Sequence, residues 1–181
     1  SNTKSLRLDN CTYCMSLPPL GQLPYLKDLK IEGMKGLMTL GSEFYGNEFG
    51  IEPFQSLKRL RFEDMPEWDE WLTLGVGEFR HLQVLRIIKC PKLIMGSPKH
   101  LPSLKELEIR GCQRIVMENL LELDDHAQMA THSNHIRQPP LCSLQELEIE
   151  NIFDLERIGN LTSLQKLKIS NCPNLVYLAE G

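Results

Sequence analysis

The chain is expected to fold as an α/β solenoid, with short strands stacked in parallel and irregular segments closing each turn. Three observations predict this. One pattern returns seven times: leucine, two residues, leucine, one residue, an apolar residue, two residues and then usually cysteine. The copies are Thr3–Cys11, Leu26–Met34, Leu57–Met65, Leu82–Cys90, Leu104–Cys112, Leu144–Ile152 and Leu164–Cys172, with Thr3 standing where the others have leucine. Within each copy apolar and polar residues alternate, as in Leu107-Glu108-Ile109 and Leu167-Lys168-Ile169. The copies are unevenly spaced: the second leucine positions (6, 29, 60, 85, 107, 147 and 167) lie 23, 31, 25, 22, 40 and 20 residues apart. Self-similarity at such intervals marks units that bury their apolar faces only by stacking. So uneven a period excludes a tight-repeat structural array.

Period-two alternation reads as a short strand with one buried face. The second leucine and the next apolar residue point into the core, and their polar neighbours point outwards. The cysteine three places later falls where the strand ends, and its thiol can partner backbone groups left unpaired in the turn. Cys90-Pro91-Lys92-Leu93 and Cys172-Pro173-Asn174-Leu175 show the continuation. Proline breaks the ladder, and a leucine returns to the core. The chain is therefore read as one irregular leucine-rich-repeat horseshoe over residues 1–181, with about seven repeats. Its parallel sheet lines the concave face, and loops and short helical turns form the convex face.

The long intervals hold insertions at Gly41–Pro53, Pro66–Phe79 and Gln113–Pro140. The last, placed at 113–140, is the largest and most polar. It carries Asp124, Asp125, His126, His132 and His135, and Met117–Leu123 could open it as a short helix. A polar stretch without periodicity is more often a loop than a metal site, because metal ligands need a rigid platform and supporting partners. In Asp64-Met65-Pro66-Glu67-Trp68-Asp69-Glu70-Trp71, Pro66 could open a helix whose positive end faces the acids. At least one indole is expected to pack on the flank, and the other is a candidate interface anchor.

The outward residues form three columns. The central one reads Arg7, Lys30, Arg61, Arg86, Glu108, Glu148, Lys168. Two residues earlier stand Ser5, Asp28, Arg59, Val84, Glu106, Glu146, Lys166, and two residues later Asp9, Glu32, Glu63, Ile88, Arg110, Glu150, Ser170. Strands about 4.8 Å apart make each column a line of contacts. The first four repeats carry a basic column, Val84 and Ile88 interrupt it with apolar side chains, and the next two repeats are acidic. Charge runs are often only a solvated, self-neutralising face, whereas a basic-to-acidic surface can orient a partner. The acidic patch is expected to be the least self-satisfied part of the face, since like charges on neighbouring strands repel.

A formal net charge of -4 argues against a nucleic-acid partner, and no apolar run reaches the length of a membrane span. Four of the six cysteines (Cys11, Cys90, Cys112, Cys172) share one repeat position, which favours stacked, reduced thiols over disulfides and a cytoplasmic or nuclear setting. Cys11 and Cys14 form a CxxC with no second pair, so no metal site is assigned. No phosphate loop, HExxH or GxSxG occurs, so no catalytic, cofactor-binding or metal residue is assigned and the chain is not read as an enzyme. The chain begins almost inside its first repeat, and it is expected to be a fragment of a larger protein.

Two further stretches carry a family resemblance. Leu17-Pro18-Pro19-Leu20-Gly21-Gln22-Leu23-Pro24-Tyr25-Leu26-Lys27-Asp28-Leu29 with Gly41-Ser42-Glu43-Phe44-Tyr45-Gly46 is one, and Phe62-Glu63-Asp64-Met65-Pro66-Glu67-Trp68-Asp69-Glu70-Trp71 is the other. With the CPxL endings they resemble the C-terminal leucine-rich repeats of plant intracellular immune receptors of the coiled-coil, nucleotide-binding class. The resemblance implies a disease-resistance protein whose repeats sense a pathogen effector or an altered host protein. It also implies that they restrain a switch, outside this fragment, that exchanges ADP for ATP. No cofactor is expected in the fragment itself. The residues assigned to these roles are read from the face. Val84, Arg86, Ile88, Glu106, Glu108, Arg110, Glu146, Glu148, Glu150, Lys166 and Lys168 are the candidate partner-binding set. Arg7, Lys30, Arg61 and Arg86 are the candidates for contact with the protein's own nucleotide-binding domain. The alternative is the substrate-recognition repeats of an F-box-type ubiquitin ligase receptor, which have a more regular period and a helix in each unit. Here proline follows Cys90 and Cys172 instead.

Overall fold

The computed structural model describes residues 2–46, 52–74, 77–94, 101–115, 141–153, 155, 157–158 and 161–178. The proposed helix at Met117–Leu123 and most of the 113–140 insertion, with its histidines, lie outside these residues. The main sheet has seven parallel strands: β1 (Ser5–Asp9), β2 (Asp28–Glu32), β4 (Arg59–Glu63), β6 (Val84–Ile88), β7 (Glu106–Arg110), β8 (Glu146–Glu150) and β10 (Lys166–Ser170). Each pairs with its neighbour in the register the columns require, Arg7 beside Lys30, Lys30 beside Arg61 and Arg61 beside Arg86. Shorter parallel pairs form two smaller sheets, β3 (Thr39–Leu40) with β5 (Glu70–Trp71) and β9 (Arg157–Ile158) with β11 (Tyr177–Leu178). Ile94 adds a single bridge to Glu70. Sequence reasoning assigned only loops and helical turns to these flanking segments, because two-residue strands carry no periodic signal. Helical structure among the described residues is slight: a 3-10 turn at Leu20–Gln22 and a one-turn helix α1 (Ser42–Tyr45). No described helix is long and apolar enough to cross a membrane.

The same backbone scheme recurs in each repeat. The residue after the strand adopts positive φ at every copy: Asn10, Gly33, Asp64, Lys89, Gly111, Asn151 and Asn171, all between 51° and 67°. Its N–H donates to the last strand carbonyl of the next repeat, as from Asn10 to Glu32 (2.9 Å), Gly33 to Glu63 (3.0 Å) and Lys89 to Arg110 (2.8 Å). The strand thus ends two residues before the cysteine. Glycine, asparagine and aspartate tolerate this left-handed backbone; a side chain with a Cβ and no local hydrogen-bonding group is strained there. Lys89 is the exception, and its side chain is exposed. Lys89→Gly should therefore stabilise the fold by about 0.5–1 kcal/mol, read as a raised urea midpoint. Gly111→Ala, at φ +63°, should move it the other way.

The cysteines serve this turn as expected. Each thiol donates to the carbonyl two residues back: Cys11 to Asp9 (3.7 Å), Cys90 to Ile88 (3.4 Å), Cys112 to Arg110 (3.3 Å) and Cys172 to Ser170 (3.5 Å). All six cysteines are free. The neighbouring Cys112 thiol and burial both push the Cys90 thiol above its ordinary value, which keeps it protonated. The CxxC of Cys11 and Cys14 is the same turn, closed by Cys14 N–H on Cys11 O at 3.0 Å. Leu37, Trp68, Leu93, Ile115 and Leu175 close it in other repeats.

That alignment corrects the expectation for Pro66. Met65-Pro66-Glu67-Trp68 is a CPxL turn in disguise, and no helix starts there. Both indoles are core residues, Trp68 at 0% and Trp71 at 1% exposure, so neither is an interface anchor. They join Phe44, Tyr45, Phe54, Phe62 and Phe79 in one aromatic cluster, with Phe62 of β4 touching both indoles at centroid distances of 4.6 and 5.3 Å. Trp71 Nε1 donates to the Tyr45 hydroxyl (2.8 Å), which donates to the Leu72 carbonyl (2.8 Å). Burial raises the Tyr45 phenol well above its ordinary value, so this relay stays protonated.

Gly21 lies against the same cluster. A Cβ there would meet Tyr45 O at 2.4 Å, and its carbonyl accepts Phe54 N–H at 2.8 Å. Gln22 Nε2 bonds the Gly46 carbonyl that ends α1. The Gly41–Pro53 segment is therefore no plain insertion, since Phe44 and Tyr45 reach the core.

Candidate interaction face

The outward face of the seven-stranded sheet carries every candidate residue named from the sequence. Its charges are paired within and across strands. Arg7 reaches Asp9 and Glu32, both at 3.0 Å; Lys30 reaches Glu32 (2.5 Å) and Glu63 (3.2 Å); Arg61 reaches Glu63 (2.7 Å). Arg86 links Glu106 (3.5 Å) and Glu108 (3.2 Å). Arg110 bridges Glu108 (3.4 Å) and Glu150 (2.7 Å), while Lys166 and Lys168 hold Glu146 (3.0 Å) and Glu148 (2.6 Å).

Two expectations need correcting. The glutamates are not the least satisfied part of the face: Glu106 does stand beside Glu146, and Glu108 beside Glu148, but each has a cation on a neighbouring strand. Ile88 is not an open apolar spot either. It lies outside the core cluster yet is only 9% exposed, with Glu63 and Arg110 in register on either side. Long charged side chains cover apolar surface with their stems. Val84 remains half-buried.

Exposed ion pairs add about 0–1 kcal/mol each, so this network contributes geometry more than stability. Its electrostatics do leave a titration signature. Burial works to raise the Glu63 pKa, but the Lys30 hydrogen bond and the Arg61 guanidinium outweigh it and hold the carboxyl below its ordinary value. The hydrogen bond from Lys168 does the same for Glu148. A depressed carboxylate contributes stability that is fully present above the unfolded value of about 4.3 and is lost as pH falls through the folded value. The urea midpoint should therefore drop below about pH 4.3, and Lys30→Met with Lys168→Met should flatten that drop.

Sequence reasoning missed a second ladder. Ser56, Ser103, Ser143 and Ser163, each just before a repeat's first leucine, donate to Pro24, Arg80, Pro102 and Cys142 carbonyls at 2.6–2.9 Å. The recurring Ser-Leu dipeptide was the available signal. These bonds and the paired donation of Gln145 and Glu146 N–H to Lys105 O keep β8 in register with β7 across the 113–140 insertion.

Comparison with known proteins settles the family. A profile described as plant disease resistance protein RPS2-like, leucine-rich repeats, matches residues 68–179. The chain belongs to this family. Among curated relatives, the disease resistance RPP13-like protein 1 of Arabidopsis thaliana is 37% identical over 96% of the chain and 16% of its own length. The disease resistance protein At3g14460, also of Arabidopsis thaliana, is 46% identical over 60% of the chain and 8% of its own length. The disease resistance protein RGA1 of Solanum bulbocastanum is 26% identical over 98% and 15%. The chain thus spans a small part of the disease resistance proteins it matches. No solved structure gives a significant match.

Proposed function

We propose that this leucine-rich-repeat chain is a protein-interaction module of a plant disease-resistance receptor, acting as a binding surface and not as an enzyme. Its sheet forms the concave wall of a horseshoe. Repeats four to seven, from Val84 to Lys168, receive a pathogen effector or an altered host protein. The basic column of Arg7, Lys30, Arg61 and Arg86 contacts the receptor's own nucleotide-binding domain, where ADP and ATP bind, in the cytoplasm. One observation carries this reading: the central column of the face is basic from Arg7 to Arg86, turns acidic at Glu108 and Glu148 and ends on Lys168, a pre-arranged layout that orients a partner. The mechanism is a population shift, in which a ligand favours the released arrangement because it binds that arrangement better.

The test is retention of this chain by the separately expressed N-terminal part of its parent, with and without ADP. Retention with ADP, lost on charge reversal at Arg7, Lys30, Arg61 and Arg86, is the expected result. Absence of retention in every state would remove the restraint role and leave sensing alone.

A further inference from the structure

We propose that the two edges of the seven-stranded sheet dock onto each other, so that β1 of a second copy of this chain adds to β10 of the first, head to tail. Strands β1 and β10 are those edges, and among the described residues no strand lies beyond either. The core is open at both. Leu167 of β10 is 43% exposed, whereas its counterparts Leu29, Leu60, Leu85, Leu107 and Leu147 are at 2% or less. Ile169 and Cys172 beside it are only partly buried, and so are Leu6, Leu8 and Cys11 of the first repeat. An open strand edge is a template for another strand, and solenoid units bury their apolar faces only against neighbours.

The existing junctions specify how the added strand must lie. At all six, the carbonyl before one strand accepts two N–H groups from the next repeat, as Lys4 O does from Lys27 and Asp28, and Gln145 O from Gln165 and Lys166. The left-handed residue after the strand donates to the end of the next strand, as Asn151 does to Ser170 O at 3.1 Å. Gln165 O and Asn171 N–H hold those two positions at the β10 edge, so the edge calls for a parallel strand in unshifted register. Strand β1 supplies it. Lys4 and Ser5 N–H of the second copy meet Gln165 O, its Asp9 O accepts Asn171 N–H, and its Leu6 and Leu8 cover Leu167 and Ile169. The dock continues an interface that the chain already makes between its own repeats.

Charge selects β1 over a second β10. Within the sheet, a central-column cation reaches the carboxylate one column later on the next strand, Arg7 to Glu32 (3.0 Å) and Lys30 to Glu63 (3.2 Å). Docked on β1, Lys168 meets Asp9 of the second copy in the same relation. A two-fold pairing of β10 edges offers no such partner, because the outward residues Lys166, Lys168 and Ser170 include no carboxylate. Each head-to-tail addition leaves a new β10 edge open, so association does not close at the dimer.

The test is sedimentation of this chain over a concentration series. Its weight-average mass should climb past that of a dimer. Asp9→Lys and Lys168→Glu, each alone, should weaken association at least about tenfold, since each sets like charges across the contact. Both side chains are exposed, at 38% and 59%, so neither change strikes the core. Mixed in equal amounts, the two variants should recover association to within about threefold of the unaltered chain, because every contact between unlike copies again joins opposite charges. Lys92→Glu, outside the seven strands, should have no effect. A chain that stays monomeric at every concentration would overturn the proposal and leave the edges to a segment of the parent. Growth that stops at the dimer and ignores Asp9→Lys would overturn it in favour of two-fold pairing through β10. Variants that each weaken association but do not rescue one another would show that the two edges do not meet.

Discussion

Trp71→Ala should destabilise the fold by about 3–5 kcal/mol, a large share of the roughly 5–15 kcal/mol that holds a domain together. The indole is 1% exposed, touches Phe62, Trp68 and Phe79, and gives its N–H to Tyr45. Its removal opens a cavity between β4 and the small β3–β5 sheet and takes the donor from the Tyr45 relay. Tyr45→Phe separates the two effects. It leaves the volume but strands the Trp71 N–H and the Leu72 carbonyl, at a cost of about 1–3 kcal/mol. Gly21→Ala should act on the same junction through a clash with the Tyr45 carbonyl. Urea unfolding followed by tryptophan fluorescence reads all three. Loss of less than about 1 kcal/mol in Trp71→Ala would mean that the aromatic cluster does not organise these repeats. Met15→Ala, at an exposed side chain, should change nothing.

That junction also explains what the sequence could and could not reveal. The strands and their register were legible because leucine and isoleucine at fixed spacing leave one possible burial pattern. The family strings were legible as strings, yet their physical purpose was not. Only in three dimensions do Gly21, Gln22, Tyr45, Gly46 and Trp71, from three separate segments, lock onto one another. Six of the seven left-handed residues were visible as Asn, Gly or Asp before the Cys, Met or Ile that follows each strand, whereas Lys89 carries no such signal. The face is the harder case. Its columns follow from alternation, while the pairing of Glu108 with Arg86 and of Glu150 with Arg110 depends on side-chain reach across strands, which spacing does not encode.

Release of the restraint is the second large effect expected. In the full-length parent, Arg7→Glu, Lys30→Glu, Arg61→Glu and Arg86→Glu together should raise the rate of ADP exchange at least about tenfold without any ligand. Differential binding of about 1.4 kcal/mol per tenfold sets how far the resting population can move. The reversals also place acids beside Glu32, Glu63 and Glu108, so the all-glutamine variant is the necessary companion. It should show the same direction with a smaller gain and only a modest fall in melting temperature, since the pairs it removes are exposed. Reversal at Lys166 and Lys168, on the far strand, should leave resting exchange as it is and weaken only the response to a ligand. An unchanged resting rate in both basic-column variants would place the restraint elsewhere on the receptor.

The most direct measurement is lysine-reactivity footprinting of this chain alone and in complex with the N-terminal part of its parent. Lys30 lies within the basic column, Lys166 and Lys168 at the other end of the sheet, and Lys92 beside Glu67 outside the seven strands. The account predicts selective protection of Lys30, with Lys92, Lys166 and Lys168 labelled as before. Protection of Lys92 or of the Lys166–Lys168 pair, with Lys30 unchanged, would contradict it.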